Sequence, residues 1–330
     1  EAGKEGKVIV FGPPGATLRD ALTKDFQKSY PNITVEYTGL TGAAVAPKVT
    51  SEKKAGLNLV DIHIGGTESI IRVLKKYSAP VEQFLILLEV KDPRYWTGGK
   101  FKFADNEGKY NLVFCTMVGG WLAFNPDVMD SKKVASLSFW DLTKPEWKNK
   151  VLWTDPRIPG PGKTTAEFFY LQPNLGPEFI RGLAENEVML SRDQRQMLEW
   201  ISRGKYSIQL GASPESAWEL INAGAPVRLD LFKEKSYTTA DFGSVVIFDQ
   251  TPHPNAAKIY LNWLLSKKGL TAWSKASGYP VRRIDVPTEH LLDPERLNPK
   301  SGTEYWEGYT EKSLDQTDKV REFLQEVFGR

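Results

Sequence analysis

Hydrophobic positions recur along the chain with two periods, one near two residues and one near four, and the two alternate. Residues 7–11 form a short apolar run that predicts a strand, closed by the turn Gly12-Pro13-Pro14-Gly15. Leu18, Leu22 and Phe26, with Ala21, then fall on one helical face. Pro31-Asn32 ends that helix, 33–37 alternates as a strand does, and Gly39-Leu40-Thr41-Gly42 opens the next loop. A helix over 44–55 and a strand over 59–64 follow, closed by Gly65-Gly66-Thr67, with a further helix over 69–77. Strand and helix alternating through short loops predict an α/β protein, a parallel or mixed sheet flanked by helices.

The pattern changes in the middle of the chain. Residues 91–110 are polar and suit an exposed loop or hairpin, while 111–117 and 121–125 are apolar and strand-like. Ser138-Phe139-Trp140-Asp141-Leu142 starts a small helical segment. A strand over 151–154 leads through a Pro/Gly-rich loop at 155–162 into a helix over 164–171. Met197, Leu198 and Ile201 share one side of a helix over 191–202. Strands are expected at 206–210, 227–232 and 244–248, and helices at 214–223, with Pro214 in its first turn, at 255–265 with Asn255 as N-cap, at 267–274 and at 317–328. There is no internal repeat and no low-complexity tract.

Composition narrows the class. At 330 residues and 37.1 kDa, two domains or lobes are expected. Hydrophobic residues at 41% and charged residues at 25% suit a globular chain that buries a core. Lys+Arg 43 against Asp+Glu 41 leaves +2 with the signs interspersed, so no basic stripe marks a nucleic-acid binder. No apolar stretch approaches the roughly 18 residues that span a bilayer. The single cysteine, Cys115, lies in an apolar run and reads as a small buried hydrophobe, which excludes a disulfide scaffold or a cysteine-rich metal site. Three histidines, His63, His253 and His290, do not suggest a multi-histidine metal centre, and no cofactor is expected. A start at Glu1-Ala2-Gly3-Lys4 suits a mature chain whose signal peptide has been removed.

The chemistry-bearing pattern is that of binding. In the 155–162 loop, glycines let backbone N–H groups approach a ligand, and the following helix N-terminus offers donors and partial positive charge to an anion. Gly162 belongs to that approach, Thr164 and Thr165 add hydroxyl groups, and Arg157 could clamp a carboxylate or phosphate. The alternative is a rigid turn with a capping Thr and an Arg–Asp pair. The loop is not a P-loop, since the glycine required ahead of Gly162-Lys163-Thr164 is missing. Three earlier strand-to-helix loops, 12–17, 38–42 and 65–69, each set glycine beside a hydroxyl residue: Pro14, Gly15 and Thr17; Thr41 and Gly42; Gly66, Thr67 and Ser69. In open α/β sheets such loops line the ligand crevice. No nucleophile elbow, no His-Glu-x-x-His and no interpretable carboxylate pair is present, so no catalytic residue is assigned and an enzyme is not expected. His63, in an apolar strand, and His253, ahead of a helix, read as structural. Trp121, Trp153, Trp218, Tyr206 and Tyr237 lie near the expected crevice loops, where one or two could stack on a ligand.

The chain resembles the extracellular solute-binding proteins of bacterial ABC importers, in the ferric-ion-binding-protein-like branch of the type 2 periplasmic fold. The residues that carry the resemblance are Val8-Ile9-Val10-Phe11 with its Gly-rich loop, Tyr30-Pro31-Asn32-Ile33-Thr34-Val35, Trp121-Leu122-Ala123-Phe124-Asn125-Pro126, the 151–162 segment, Gly204-Lys205-Tyr206-Ser207-Ile208, Pro252-His253-Pro254-Asn255-Ala256-Ala257 and Gly278-Tyr279-Pro280-Val281-Arg282. The resemblance implies two α/β lobes, here 7–112 with about 243–285, and 113–242, leaving 286–330 as a C-terminal helical segment of unassigned lobe. It also implies a solute held between the lobes by hinge closure. It further implies export to the periplasm or cell surface, with or without a lipid anchor, and a permease partner for a monomeric receptor. Iron-binding members carry an adjacent tyrosine pair after the strand expected here at 206–210, where this chain has Gly211-Ala212-Ser213-Pro214, and a histidine in the first loop, where this chain has none. The remaining Gly, Ser, Thr, N–H and Arg groups suit a small anionic organic solute. Arg157 would hold the anion, and Thr164, Thr165 and Ser213 would donate to it. An Fe(III) receptor with non-tyrosine ligands, and an enzyme on the same scaffold, stand as alternatives.

Overall fold

The computed structural model describes all residues except Pro159, Lys233, Lys235, Leu292, Ser301 and Arg330, and the side chain of Glu215. Two compact units partition the chain. One comprises Glu1–Met117, Thr239–Pro299 and Tyr309–Leu314, the other Val118–Thr238, Lys300–Gly308 and Asp315–Arg330.

The first unit is built on a mixed sheet in the order Thr34–Gly39, Lys7–Gly12, Ile62–Gly65, Ser244–Phe248, Leu112–Val113, Lys102–Phe103. Lys7–Gly12 runs parallel to both of its neighbours, whereas Ser244–Phe248 is antiparallel to Ile62–Gly65 and to Leu112–Val113. Alternation sends Val8, Val10, Ile62, Ile64, Val245 and Ile247 to one face, beneath helices Ala16–Ser29, Pro254–Leu265 and Lys267–Ser277. Phe11, Val246 and Phe248 take the other face, under helix Gly42–Lys54 and the irregular helical stretch around Ile70–Leu74. Helix Ala16–Ser29 buries Leu18, Leu22 and Phe26, the stripe its four-residue spacing predicts.

The second unit has a five-stranded sheet in the order Met189–Ser191, Val151–Thr154, Ile208–Leu210, Leu122–Phe124, Arg228–Asp230, of which the first three run parallel. Leu122–Phe124 is antiparallel to both of its neighbours. One face carries an aromatic core in which Phe139 meets Phe232, Phe169 and Phe179 with centroids 4.3, 5.2 and 6.0 Å apart. Leu152, Met197 and Ile201 pack together apart from that core. The strand expected from residue 206 starts at Ile208; Tyr206 instead lies against Trp200.

Two buried polar groups organise the first unit. Asp61 is fully buried at the start of a central strand. Its carboxylate accepts from Ile9 N at 2.7 Å, His253 N at 2.8 Å, His253 Nδ1 at 2.9 Å and the Thr251 hydroxyl. His253, not Asn255, is the N-cap of Pro254–Leu265. Asn255 gives its side-chain Nδ2 to Glu5 Oε1 at 2.6 Å, and Glu5 also takes Ala256 N at 2.7 Å. A carboxylate from the chain's first turn thus supplies the cap that sequence adjacency assigned to Asn255. His63 is buried with Nδ1 3.0 Å from Phe11 O. A carbonyl only accepts, so Nδ1 carries a proton. Its other edge lies over Gly65, where a Cβ would come within 2.3 Å of Nε2.

Two outcomes are expected. Asp61→Ala strands several buried donors and should cost about 3 kcal/mol or more, measured by urea unfolding; a loss below about 1 kcal/mol would contradict the assigned role. Burial pushes the His63 pKa down from 6.5 to about 4. The unfolded chain therefore binds this proton first as pH falls, and about 3 kcal/mol of stability contributed by neutral His63 is lost between roughly pH 6.5 and 4. His63→Gln should flatten the stability slope across that window, and an unchanged slope would show that His63 does not carry it.

Candidate functional site

In the first unit the carboxyl ends of Lys7–Gly12, Thr34–Gly39 and Ile62–Gly65 share one sheet edge, and the three loops that leave it touch one another. Leu40 N donates to Gly12 O at 2.8 Å. A Cβ on Gly39 would come 3.1 Å from Pro14 Cα, and one on Gly42 would come 2.3 Å from Ser69 Oγ. Gly12 is itself required by the Tyr37 ring, whose hydroxyl donates to Pro13 O at 2.8 Å. Of the sequence-derived candidates, Pro14, Gly15, Thr17 and Thr41 are exposed at this edge, Gly42 and Gly66 are half-buried, and Thr67 is buried. Helices Ala16–Ser29 and Gly42–Lys54 start here without a side-chain cap. No side chain satisfies their first N–H groups, and the positive end of each helix dipole lies behind them.

In the second unit the parallel strands Val151–Thr154, Met189–Ser191 and Ile208–Leu210 also end on one edge. A polar network ties their loops together. Thr154 Oγ1 donates to Gly211 O at 2.8 Å, and Gln194 Nε2 donates to Thr154 Oγ1 at 2.7 Å and to Gly211 O at 3.0 Å. Gln194 Oε1 accepts from Gln209 Nε2 at 2.7 Å. Sequence reasoning did not single out Gln194; a glutamine at a helix start gives no signal until the three strand ends are side by side. Gly162 is needed for close packing, since a Cβ there would lie 2.0 Å from Thr154 O.

Arg157 takes the Arg–Asp arrangement, the alternative to an anion clamp. Its Nε and Nη2 donate to Asp155 at 2.9 and 3.1 Å, and Nη1 donates to Phe328 O and Gly329 O, both at 3.0 Å. It thereby satisfies carbonyls at the end of helix Thr317–Phe328. Arg192 Nε also reaches Asp155, at 3.1 Å. Burial pushes the Asp155 carboxyl up, but hydrogen bonds from Arg157 and Arg192 outweigh it and hold the group below the usual carboxylate range.

Neither threonine caps the helix that follows. It begins at Pro161, with Gly160 as N-cap; Thr164 Oγ1 lies 3.4 Å from Gly160 O, and Thr165 Oγ1 donates to Pro161 O at 2.7 Å. Thr165 also pairs with the Tyr237 hydroxyl at 3.0 Å, and burial pushes that phenol up to about 12. Ser213 caps helix Pro214–Asn222 through Ser216 N at 3.4 Å. Trp121, Trp153 and Tyr237 are core residues. Among the described residues no group of three or more His, Cys, Asp or Glu side chains gathers as a metal ion would require. Nor, among them, is any helix long and apolar enough to cross a membrane.

Comparison with known proteins agrees with this architecture. Residues 116–279 match the bacterial extracellular solute-binding protein family. No curated protein matches the chain. Among solved structures, the apo ferric ion-binding protein A of Pasteurella haemolytica aligns with 98% of this chain and 98% of its own, at 14% identity and a TM-score of 0.73. An ABC transporter structure from Clostridium perfringens covers 97% and 99%, at 15% and 0.74. The periplasmic binding protein AfuA of Actinobacillus pleuropneumoniae, solved with fructose-6-phosphate bound, covers 97% of each chain, at 16% and 0.66. At these identities the likeness is one of fold, that of the two-lobed type 2 periplasmic binding proteins.

Arg157→Ala should release the last turn of helix Thr317–Phe328 and destabilise the protein by about 2 kcal/mol, the scale of hydrogen bonds to a charged group. Amide hydrogen exchange should accelerate over 317–328; unchanged exchange there would show that the tether does not hold the helix end.

Proposed function

We propose that this chain, which carries the bacterial extracellular solute-binding domain over residues 116–279, is the capture component of an ABC importer and takes a small organic anion. The observation that carries the reading is the pair of uncapped helix N-termini set side by side by the touching loops of the first unit, with Thr17 and Thr41 exposed beside them. Such N–H groups select for carboxylate, phosphonate or phosphate and cost no counter-charge to assemble. In the second unit Gly162, Lys163 and Thr164 open helix Pro161–Leu171 in the same chemical style. Arg157 serves this reading by positioning the 155–160 loop, because its guanidinium is engaged by Asp155 and the C-terminal carbonyls. The fructose-6-phosphate bound to AfuA is an example of this ligand class on this fold.

Iron fits less well. Gly211-Ala212-Ser213-Pro214 offers no phenolate where the resemblance would place two, and hard Fe(III) favours anionic oxygen ligands. Export to the periplasm or the cell surface, delivery to a permease and closure on the solute belong to the same reading.

A thermal-shift screen of ligand-stripped protein tests it, with small carboxylates, phosphonates, sugar phosphates, amino acids, polyamines, and Fe(III) with carbonate or citrate. Binding raises the melting temperature by mass action, so one class of organic anion should stand out. A shift with Fe(III) alone would replace the reading by an iron receptor, and no shift with any organic anion would overturn it.

A further inference from the structure

The second unit holds a cavity of about 10 Å³. Its walls are the side chains of Phe139, Phe168, Phe169, Phe232 and Leu210, all buried, with Thr165 at one side. Gly120 and Ser236, both half-buried, form its more open side. The size suits one water molecule or one methyl group.

Several of the polar atoms around it are already engaged. Thr165 donates to Pro161 O and pairs with Tyr237, which also accepts from the Gly120 N–H. The Gly211 carbonyl accepts from Thr154 and Gln194, and the Ser236 hydroxyl donates to Gly119 O. A buried water needs two to four polar partners, and these walls offer few. The cavity is therefore suited to carbon. It also adjoins the candidate site, because Thr165 lies one turn into the helix that begins at the 155–160 loop and Gly211 follows the strand beside it.

We propose that this pocket receives a short apolar branch of the captured solute, so that the ligand class is an organic anion bearing a methyl group near its charged end. The proposal rests on the capture reading and sharpens it. Gly120 and Gly211 both adopt positive φ, 85° and 64°, which a side chain would strain. Phe139 and Phe232 pack against each other in the wall of the pocket, with centroids 4.3 Å apart.

Two measurements decide it. Xenon under pressure, followed by xenon-129 NMR, probes the cavity without any solute; one saturable site should appear and should vanish in Leu210→Phe, which fills the space. Matched anions then probe the class: glycolate against lactate and 2-hydroxybutyrate, and phosphite against methylphosphonate. At least one methylated member should bind about tenfold or more tightly than its parent, the usual scale for one methyl in an apolar pocket. Phe232→Leu deepens the pocket and should move the preference toward the ethyl-bearing 2-hydroxybutyrate. It keeps the test open if Leu210→Phe does not fold. Absence of a xenon site overturns the proposal, as does a panel in which no methylated member outbinds its parent. Capture itself fails separately, when the broad anion screen, parents included, gives no shift.

Discussion

The first unit depends on a carboxylate that water never reaches. Asp61 lies at a strand start, and its two oxygens collect donors from strand Lys7–Gly12 and from the segment that opens helix Pro254–Leu265. A buried polar group is tolerated only when hydrogen bonds replace its hydration, so Asp61 accepts one arrangement of these partners and penalises the rest. That constraint fixes where Lys7–Gly12 begins relative to Ile62–Gly65, and hence where both strands end. The three loops that carry Gly15, Thr41 and Gly66 inherit their alignment from it. Glu5 repeats the device from the other side, holding the helix start at Asn255 and Ala256.

The second unit solves the same problem with neutral groups at its loops and aromatic rings in its core. Thr154, Gln194 and Gly211 satisfy one another across three strand ends, and Gly162 lets the following helix approach Thr154 without a side chain between. Asp155 and Arg157 then bind this rim to the C-terminal helix. A rim of loops tied together this way is held firmly where it meets the sheet.

Much of this was legible in the sequence, and the illegible part has a common cause. The α/β class, the Leu18–Leu22–Phe26 stripe, buried Cys115 and His63, and the gathering of Pro14, Thr17, Thr41 and Gly66 all follow from periodicity and from the rule that parallel strands end on one side. What failed to show were partnerships between residues distant in the chain. Asn255 reads as a cap because Glu5, 250 residues earlier in the chain, is invisible to local reasoning. Arg157 reads as a clamp for the same reason, since Phe328 and Gly329 cannot be seen from the loop. Thr164 and Thr165 resemble caps, but Gly160 and Pro161 had already set the helix start. The type of chemistry could be read locally; which groups were free to perform it could not.

The strand order of the first unit also governs how the protein is made. Ser244–Phe248 sits between Ile62–Gly65 and Leu112–Val113, so the sheet has a gap at its centre until residue 248 has been made and is in place. The whole Val118–Thr238 stretch is synthesised in the meantime. During that interval Ile62–Gly65 and Leu112–Val113 present unpaired edges and apolar faces, the surfaces by which nascent chains associate wrongly. The interleaved topology thereby couples completion of the first unit's sheet to passage through the whole intervening segment of the second.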